Sequence, residues 1–365
     1  MLRLLVSAGG TGGGVYPALA VVEELSEGCE VLWVGGEGGM EASIVKRNNL
    51  PFEAIPAAGV HGVGLRVLLR NMLKLSQGMF AARGIIRRYK PDVMFFTGGY
   101  VGVPVAAVGR SVPKVMYVPD IEPGLAHRAI SRLSDVITVT AEESCNYFRP
   151  TKKVVVTGYP TRLALRRVDK GAARRSFGLS EEPAVVMVMG GSRGAQSINN
   201  ALWKNLDHLL EKAQVLHITG DLDFPRVQEV QANLRQEWAE RYHPFPYLHE
   251  EIADALASAD LAVSRAGAST MGEYPLFGLP SVLIPYPYAW RYQKTNASYL
   301  SSRGAAVQIA DEDLEERLFS VVVGLLEDPV RLGYMSEAAR KLSQPEAARS
   351  IAKELERYAP AKGTA

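Results

Sequence analysis

The sequence predicts an α/β protein with two domains of the nucleotide-binding type, each containing a parallel sheet, that face each other across a cleft. Short apolar strands alternate with helical patterns along most of the 365 residues, which is typical of a parallel sheet covered by helices on both faces. Residues 190–195, called the second glycine turn below, follow one apolar strand and precede a helix. Residues 8–14, the first glycine turn, follow the first strand in the same way. One such turn in each half predicts one domain for each half.

Hydrophobic patterns and turn residues divide each half into elements. In the first half we predict strands at 2–6, 30–34, 52–55, 92–97, 114–118, 136–139 and 153–157, and helices at 17–25, 41–47, 65–89 and 124–132. In the second half we predict strands at 184–189, 215–219, 244–248, 261–264, 281–285 and 305–309, and final helices at 311–326, 329–342 and 346–358. Gly158, Tyr159 and Pro160 interrupt the pattern. The predicted domains are therefore 1–160 and 161–345, and we expect residues 346–365, a helix and tail, to pack back towards the N-terminal domain.

Composition places the chain among ordinary globular proteins, with 47% hydrophobic and 22% charged residues. A net charge of +2 is too small to indicate a nucleic-acid partner. The only cysteines, Cys29 and Cys145, cannot build a disulfide framework, which favours a reducing compartment. No apolar run approaches the roughly 18 residues of a membrane-spanning helix. The first residues are predicted as a strand and not as a signal peptide, so we expect a cytoplasmic protein.

Two strand-to-helix turns in the second half are candidate phosphate sites. Backbone N–H groups of the second glycine turn, with Gly191 and the Ser192 hydroxyl, can hold a diphosphate at a helix N-terminus. The Gly-Lys-Ser/Thr ending of a P-loop is absent, which disfavours nucleoside-triphosphate chemistry. Residues 264–273 repeat the arrangement, and Glu273 can accept hydrogen bonds from a ribose diol. The alternatives are a tight turn without a ligand and a glutamate that only stabilises the helix N-terminus.

Other polar residues carry weaker signals. Asp221 and Asp223 have a spacing that can ligate a divalent cation, but a polar turn is expected after Gly220 in any case. No histidine pair has the spacing of a metal site. His61, His127 and His249 lie in or near predicted loops and are functional candidates, whereas His208, His217 and His243 are predicted to be structural.

The predicted helix at 65–89 is unusual, because it and Lys90 supply seven cations without a single acid. Its bulky apolar residues recur near helical spacing and include Leu68, Leu69, Met72 and Leu73, with Arg70 and Lys74 among the cations. Bulky apolar residues with cationic neighbours are typical of a helix lying on a membrane surface. The alternative is a core-facing helix with a solvated basic face.

With these motifs in place, the chain resembles the MurG family of bacterial glycosyltransferases over nearly its whole length. The resemblance rests on Ala8-Gly9-Gly10-Thr11-Gly12-Gly13 with Pro17-Ala18-Leu19-Ala20, Gly98-Gly99-Tyr100-Val101, Gly158-Tyr159-Pro160-Thr161-Arg162, residues 190–195, residues 264–273 with Gly278-Leu279-Pro280, and Gln293 with Asn296. It implies the two-domain GT-B fold and transfer of N-acetylglucosamine from UDP-N-acetylglucosamine to an undecaprenyl-diphosphate-linked muramyl-pentapeptide. It also implies no tightly bound metal or other cofactor, and a peripheral location on the inner face of the cytoplasmic membrane.

The resemblance assigns site residues by position. It places the donor on Arg162, Gly191, Ser192, Ala268, Ser269, Thr270, Glu273 and Gln293, with the backbone around His249 at the uracil. It places the acceptor diphosphate on Gly10, Thr11, Gly12, Gly13, Gly14, Gly98, Gly99 and Tyr100.

Three departures from the family pattern affect the acceptor and the sugar. Gly14 stands where the family has a histidine, the segment Tyr117-Val118-Pro119-Asp120 replaces His-Glu-Gln-Asn, and Trp290-Arg291-Tyr292-Gln293 lacks the first of two glutamines. Asp120 is therefore the first candidate for the catalytic base, followed by Glu122, His127 and His61. A related enzyme with another acceptor or sugar, a sugar-nucleotide-binding protein without catalysis, and a sugar-nucleotide epimerase remain open as alternatives.

Overall fold

A computed structural model describes residues 1–9, 12–59, 64–191, 194–288 and 292–360, except for the side chains of residues 65 and 67–69. The chain forms two compact units, and each contains one parallel sheet, which confirms the predicted fold class. The first unit consists of Met1–Arg162 together with the chain from Gln344 onward, and the second unit is Leu163–Ser343. The chain thus leaves the first unit two residues after the predicted boundary at 160 and returns at residue 344.

The first unit has seven parallel strands in the order β3-β2-β1-β4-β5-β6-β7. These strands are β1 (Leu2–Ala8), β2 (Cys29–Gly36), β3 (Phe52–Ile55), β4 (Val93–Gly98), β5 (Lys114–Val118), β6 (Val136–Val139) and β7 (Lys153–Val156). The strand order reverses between β1 and β4, and ligands of open α/β sheets bind beyond the carboxyl ends of the strands at such a point. The first glycine turn follows β1 and Gly98 ends β4, so both predicted acceptor motifs lie at this point.

Helices cover this sheet: α1 (Gly12–Glu23), α2 (Glu41–Arg47), α3 (Leu65–Tyr89), α4 (Gly102–Val108), α5 (Leu125–Ser131) and, from the C-terminal end of the chain, α15 (Ala347–Glu356). The core between them contains the buried side chains of Met94, Phe96 and Met116. Helix α15 packs against α1, and Glu356 Oε1 accepts a 2.7 Å hydrogen bond from Ser26 Oγ.

The second unit has six parallel strands in the order β10-β9-β8-β11-β12-β13. They are β8 (Val185–Met189), β9 (Gln214–Ile218), β10 (Tyr242–Phe245), β11 (Leu261–Ser264), β12 (Ser281–Leu283) and β13 (Ala306–Gln308). Its helices are α6 (Lys170–Ser176), α7 (Gln196–Lys204), α8 (Leu206–Leu210), α9 (Val227–Asn233), α10 (Ile252–Ser258), α11 (Glu273–Phe277), α12 (Tyr292–Ser302), α13 (Leu314–Leu326) and α14 (Pro329–Lys341). The strand order reverses between β8 and β11, the strands that lead into the second glycine turn and residues 264–273.

Most elements for which bounds were predicted begin and end within two residues of them; the larger differences are at α1, β10 and α13, which begins at Leu314 and not at residue 311. Helix α1 begins at Gly12 and not at residue 17, and helix α4 was not predicted. Strand β10 is Tyr242–Phe245 instead of 244–248. It can include Pro244, which has no backbone N–H, because β10 is an edge strand that has a neighbour on one side only. No helix in the part of the chain that the structure describes is long and apolar enough to cross a membrane.

Candidate functional site

The second glycine turn brings the backbone from β8 to the N-terminus of α7. Gly194 adopts φ +74°, and a Cβ atom there would collide with the carbonyl oxygen of Thr219 at the end of β9. Gly191 is also left-handed, with φ +87°, and its carbonyl accepts a 2.9 Å hydrogen bond from Gly194 N. Ser192 lies outside the described residues. The turn therefore depends on glycine and leads directly into the free N–H groups of a nine-residue helix, which favour an anion.

Residues 264–273 form the second strand-to-helix connection at the same edge of the sheet. After β11 the chain makes a 3₁₀ turn, Ala268–Met271, and α11 begins at Glu273. Thr270 donates both its N–H (3.1 Å) and its hydroxyl (2.7 Å) to the carbonyl of Gly267. Thr270 therefore shapes this turn, and Ala268 and Ser269 supply its first two amides. Glu273 is partly buried, at the position predicted for a ribose contact.

Helix α12 makes hydrogen bonds to the chain after β11 and to the chain after β12. Asn296 is fully buried and donates from Nδ2 to the carbonyl of Ala266 at 3.2 Å. Gln293 Oε1 accepts a 2.8 Å hydrogen bond from the backbone N–H of Tyr286. The predicted sugar contact Gln293 thus holds the chain that leaves β12.

Arg265 is a residue whose role the sequence did not reveal. Its guanidinium binds Asp311 Oδ1 at 2.5 Å and Ser197 Oγ at 2.8 Å, and it lies 5.2 Å from the ring centroid of Tyr286. Ser197 also donates to Asp311 Oδ1 at 2.8 Å. Arg265 therefore joins β11, the first turn of α7 and the chain after β13. The only sequence signal was an arginine directly between a strand and a small-residue turn.

His249, predicted near the uracil, is exposed and lies after edge strand β10. Its backbone N–H donates to Glu251 Oε2 at 3.0 Å, and its ring contacts Tyr247 with a centroid distance of 4.7 Å. Backbone N–H groups, that of Glu251 itself and that of His249, hold the pKa of the Glu251 carboxyl below its usual value.

Asp223, one of the two weak metal candidates, belongs to a buried hydrogen-bond chain. Asn199 Nδ2 donates to Asp223 Oδ2 at 2.8 Å and to the carbonyl of Thr219 at 2.9 Å. Asn199 Oδ1 in turn lies 3.0 Å from His217 Nε2. Within the described ranges, no three His, Cys, Asp or Glu side chains are arranged to hold a metal ion. The Asp223 carboxylate therefore anchors α7 beside the second glycine turn.

In the first unit, the turns after β1 and β4 contact each other. Gly98 and Gly99 have φ values of +116° and +85°, and a Cβ atom on Gly99 would lie 2.6 Å from the carbonyl oxygen of Gly9. Gly14 is buried in α1, where its carbonyl accepts a 2.6 Å hydrogen bond from Thr97 Oγ1. Gly12 and Gly13 begin α1, Tyr100 is exposed beside Gly99, and Gly10 and Thr11 lie outside the described residues. The structure thus brings the two predicted acceptor motifs, the one after β1 and the one after β4, into contact within the described residues.

The three described base candidates follow β5. His127 Nε2 lies 3.1 Å from the carbonyl oxygen of Thr97, which can only accept, so Nε2 carries the proton and Nδ1 the lone pair. Burial lowers the pKa of His127, against the raising effects of the Thr97 hydrogen bond and the Asp120 charge. Asp120 is partly buried directly after β5. The buried Glu122 carboxylate binds Arg128 Nη2 at 3.0 Å, so an ion pair occupies it. His61 lies outside the described residues.

Arg162, predicted as a donor contact, belongs to the first unit. Its guanidinium lies 4.8 Å from the ring centroid of Tyr16, on α1 and two residues after Gly14. Within the described part of the chain, its buried Nε atom has no hydrogen-bond partner. The structure thus packs this cation on α1, the helix that follows the first glycine turn, and the donor contact stays a prediction.

Helix α3 has the predicted bounds and an exposed apolar face. Met72, Leu73 and Phe80 are 54%, 66% and 79% exposed, and the cations Arg70 and Lys74 are exposed beside them. The side chains of Leu68 and Leu69 lie outside the described residues. The opposite face is anchored, since Ile85 and Tyr89 enter the core and Asn71 Nδ2 donates to the carbonyl of Gly59. Bulky apolar side chains therefore remain in solvent among cations.

Comparisons with known proteins agree with this arrangement. Residues 4–135 match the glycosyltransferase family 28 N-terminal domain, and residues 185–355 match the corresponding C-terminal domain. A relative from Roseiflexus sp. (strain RS-1) is 39% identical, covering 97% of this chain and 94% of the relative. A relative from Desulforamulus reducens is 37% identical, covering 98% of this chain and 99% of the relative. Both are named UDP-N-acetylglucosamine–N-acetylmuramyl-(pentapeptide) pyrophosphoryl-undecaprenol N-acetylglucosamine transferase.

Solved structures resemble the chain over nearly its full length. MurG from Acinetobacter baumannii superimposes with a TM-score of 0.77 at 27% identity, covering 98% of this chain and 100% of that one. A UDP-GlcNAc 2-epimerase from Neisseria meningitidis, bound to UDP-GlcNAc, gives 0.70 at 13% identity over 98% of this chain and all of that one. The second likeness shows a shared fold alone.

Proposed function

We propose a function for this chain from the premise that it belongs to glycosyltransferase family 28, within the MurG family of UDP-sugar-dependent transferases. The chain moves N-acetylglucosamine from UDP-N-acetylglucosamine to an undecaprenyl-diphosphate-linked muramyl-pentapeptide, a step of peptidoglycan synthesis. The observation that carries this proposal is 37–39% identity over nearly the whole chain to relatives named for that reaction. The described parts of both glycine turns, at the reversal points of the two sheets, support it.

The second unit would bind the donor. In this proposal the N–H groups of the second glycine turn and of the N-terminus of α7 bind the diphosphate, and Glu273 binds the ribose. During transfer the bond between the anomeric carbon and the diphosphate oxygen breaks, and UDP leaves with an additional negative charge. Fixed N–H donors stabilise such a developing charge, so the proposal includes no tightly bound metal.

The first unit would bind the acceptor diphosphate at the first glycine turn and at Gly98–Tyr100, with Arg162 as a nearby cation. The acceptor hydroxyl attacks the anomeric carbon from the side opposite the diphosphate, which inverts the configuration at that carbon. The proton of the hydroxyl passes to a base. Asp120 is the proposed base. His127, neutral at pH 7 with a lone pair on Nδ1, is the second candidate, and the ion-paired Glu122 is the third.

A transfer assay tests this function. The protein is incubated with radiolabelled UDP-N-acetylglucosamine and a lipid-linked muramyl-pentapeptide acceptor, and both labelled lipid and released UDP are measured. We expect equal amounts of both products. Donor binding in calorimetry without release of UDP would instead identify a sugar-nucleotide-binding protein. UDP release with a different lipid-linked acceptor would identify a related transferase, and a changed sugar without any acceptor would identify an epimerase.

Gly194→Ala is expected to weaken UDP binding at least tenfold in calorimetry. The left-handed backbone costs a non-glycine residue about 1–2 kcal/mol, and the new Cβ atom also pushes against Thr219 O. Gly333→Ala, on α14 and outside both predicted phosphate turns, is the matched control, because that glycine is not left-handed and its Cβ would meet no described atom within 4 Å. If both variants, shown to be folded by circular dichroism, bind UDP like the wild type, the second glycine turn is not the diphosphate site.

We further propose that α3 holds the protein on the inner face of the cytoplasmic membrane. Leu73→Glu and Phe80→Glu are each expected to reduce sedimentation with anionic phospholipid vesicles about tenfold, since burying such a side chain contributes about 1.5–3 kcal/mol. Tyr334→Glu, at an exposed aromatic residue of the second unit, is the control and should sediment normally. Unchanged sedimentation of both α3 variants would show that this face does not bind lipid.

A further inference from the structure

Two exposed tyrosines follow β12 at the carboxyl edge of the second sheet. Tyr286 is 44% exposed and Tyr288 is 84% exposed, and their ring centroids lie 5.5 Å apart with an interplanar angle of 69°. Single exposed apolar residues are common on protein surfaces, but two touching aromatic rings at a ligand-binding edge expose apolar area where a ligand can cover it.

Contacts with Gln293 and Arg265 fix Tyr286 on the side of the second unit's interior. The backbone N–H of Tyr286 donates to Gln293 Oε1 at 2.8 Å, and the Arg265 guanidinium packs on the Tyr286 ring. Arg265 is itself fixed by Asp311 and Ser197. Tyr286 is therefore held in place before a ligand arrives, which lowers the entropy lost on binding, and Tyr288 contacts its ring.

The strand order shows which part of a nucleotide sugar reaches these rings. Neighbouring strands are about 4.8 Å apart, so β12 lies roughly 19 Å from β10, where His249 follows the strand, and roughly 10 Å from β8. If a nucleotide sugar binds with its base near β10 and its diphosphate at the second glycine turn after β8, its sugar lies further along the edge, towards β12. The uracil would be at the other end of the edge.

The chemistry of the rings agrees with a sugar. The face of a tyrosine ring is electron-rich and does not favour a phosphate, whereas the C–H groups of a pyranose ring present a weakly positive, apolar face to it. Stacking on an aromatic ring orients the sugar, and polar groups such as Gln293 can then select among its hydroxyls.

We propose that Tyr286 and Tyr288 form a stacking platform for the pyranose ring of the donor and contribute to the choice of sugar. This inference rests on the proposed donor site of the second unit. It adds a recognition element that depends on this chain's own aromatic residues, beside the segment in which one family glutamine is absent.

The test compares the affinities for UDP-N-acetylglucosamine and for UDP by calorimetry. Tyr288→Ala is expected to weaken UDP-N-acetylglucosamine about 3- to 10-fold, as loss of one aromatic contact predicts, and to leave UDP affinity unchanged. Tyr288→Phe should retain wild-type affinity for both ligands, because stacking needs the ring and not the hydroxyl. Tyr334→Ala, at an exposed tyrosine on α14, is the control and should change neither.

Each other outcome overturns the platform. A parallel loss of UDP affinity would place the rings on the nucleotide, and unchanged binding of both ligands would show that the rings touch neither. A higher KM for the lipid acceptor with unchanged donor affinity would assign them to the acceptor. These results do not depend on turnover: absence of sugar transfer by the wild type would refute the proposed function, while the two donor affinities would still be measurable.

Discussion

Asp120→Asn is expected to lower kcat for sugar transfer by about 10²- to 10⁴-fold, the usual contribution of a general base. The asparagine amide keeps the size of the carboxylate but cannot take the proton of the acceptor hydroxyl at neutral pH. Donor affinity should change less than about twofold, because the proposed donor turns belong to the other unit. Steady-state kinetics with saturating donor and acceptor would measure kcat, and calorimetry with UDP would measure the donor affinity.

Three further variants make this result specific to Asp120. Glu27→Gln removes an exposed carboxylate of the same unit and should leave kcat unchanged. Glu122→Gln breaks the ion pair with Arg128, so we expect a lower melting temperature with a smaller loss of kcat than in Asp120→Asn. His127→Gln tests the second candidate. If Asp120→Asn turns over at the wild-type rate and His127→Gln does not, the base is the imidazole and our assignment is wrong.

Local sequence signals were sufficient for the sheets and for the turns at their edges. Strand β11 and helices α2 and α3 have the predicted bounds, because their hydrophobic periods and flanking turn residues agree with each other. The second glycine turn could be predicted for the same reason, since an apolar strand, glycines and a helix follow one another within a few residues. The order of the strands, and so the position of both turns at a reversal point, required the structure.

Elements that depend on tertiary packing were missed. Three glycines and Pro17 disfavour a helix at 12–17, yet α1 begins at Gly12 because Val15 and Ala18 are buried against the sheet. A Cβ atom on Gly14 would lie 3.3 Å from the carbonyl of Thr97, so this helix also approaches β4 closely. Helix packing outweighs local propensity here, and no local pattern shows which strand the helix will meet.

Contacts between distant residues were equally hidden in the sequence. Arg162 reaches Tyr16, and Thr97 joins Gly14 to His127, although none of these residues is near its partner in the chain. A resemblance assigns residues to sites one by one, but only the folded chain shows that the Arg162 guanidinium packs on Tyr16 of α1. The base candidates can be compared physically for the same reason, through the Arg128 ion pair and the Thr97 hydrogen bond.

His217 is expected to make the second unit acid-labile. The imidazole is completely buried and accepts from the Tyr242 hydroxyl at 2.9 Å, while its Nε2–H donates to Asn199 Oδ1. Trp203 Nε1 donates to the same tyrosine oxygen, and Asn199 Nδ2 continues the chain to Asp223. In this chain Nδ1 must accept a hydrogen bond and Nε2 must donate one, which only the neutral imidazole can do. Burial accordingly lowers the pKa of His217 to about 3.

The sign of the effect follows from the two pKa values. An unfolded chain binds a proton on this histidine below about pH 6.5, while the folded chain does not until about pH 3. The contribution of the neutral imidazole is therefore fully present above pH 6.5 and decreases as the pH falls. Between these values the free energy of unfolding should fall by about 1.4 kcal/mol per pH unit from this residue alone. Urea unfolding followed by fluorescence from pH 7.5 to 4 would measure the slope.

Comparison with His217→Gln separates this slope from that of the carboxylates. The glutamine amide can still donate to Asn199 Oδ1, but it cannot accept from Tyr242, so this variant should be less stable at pH 7. Because it does not titrate, its stability should fall less steeply with acid, and the difference from the wild type should shrink towards pH 4. His208→Gln, at an exposed histidine, is the control and should keep the wild-type slope.

A constant difference between wild type and His217→Gln would mean that the folded protein protonates this histidine as readily as the unfolded chain does. The hydrogen-bond chain that holds α7 beside the second glycine turn would then tolerate a charge.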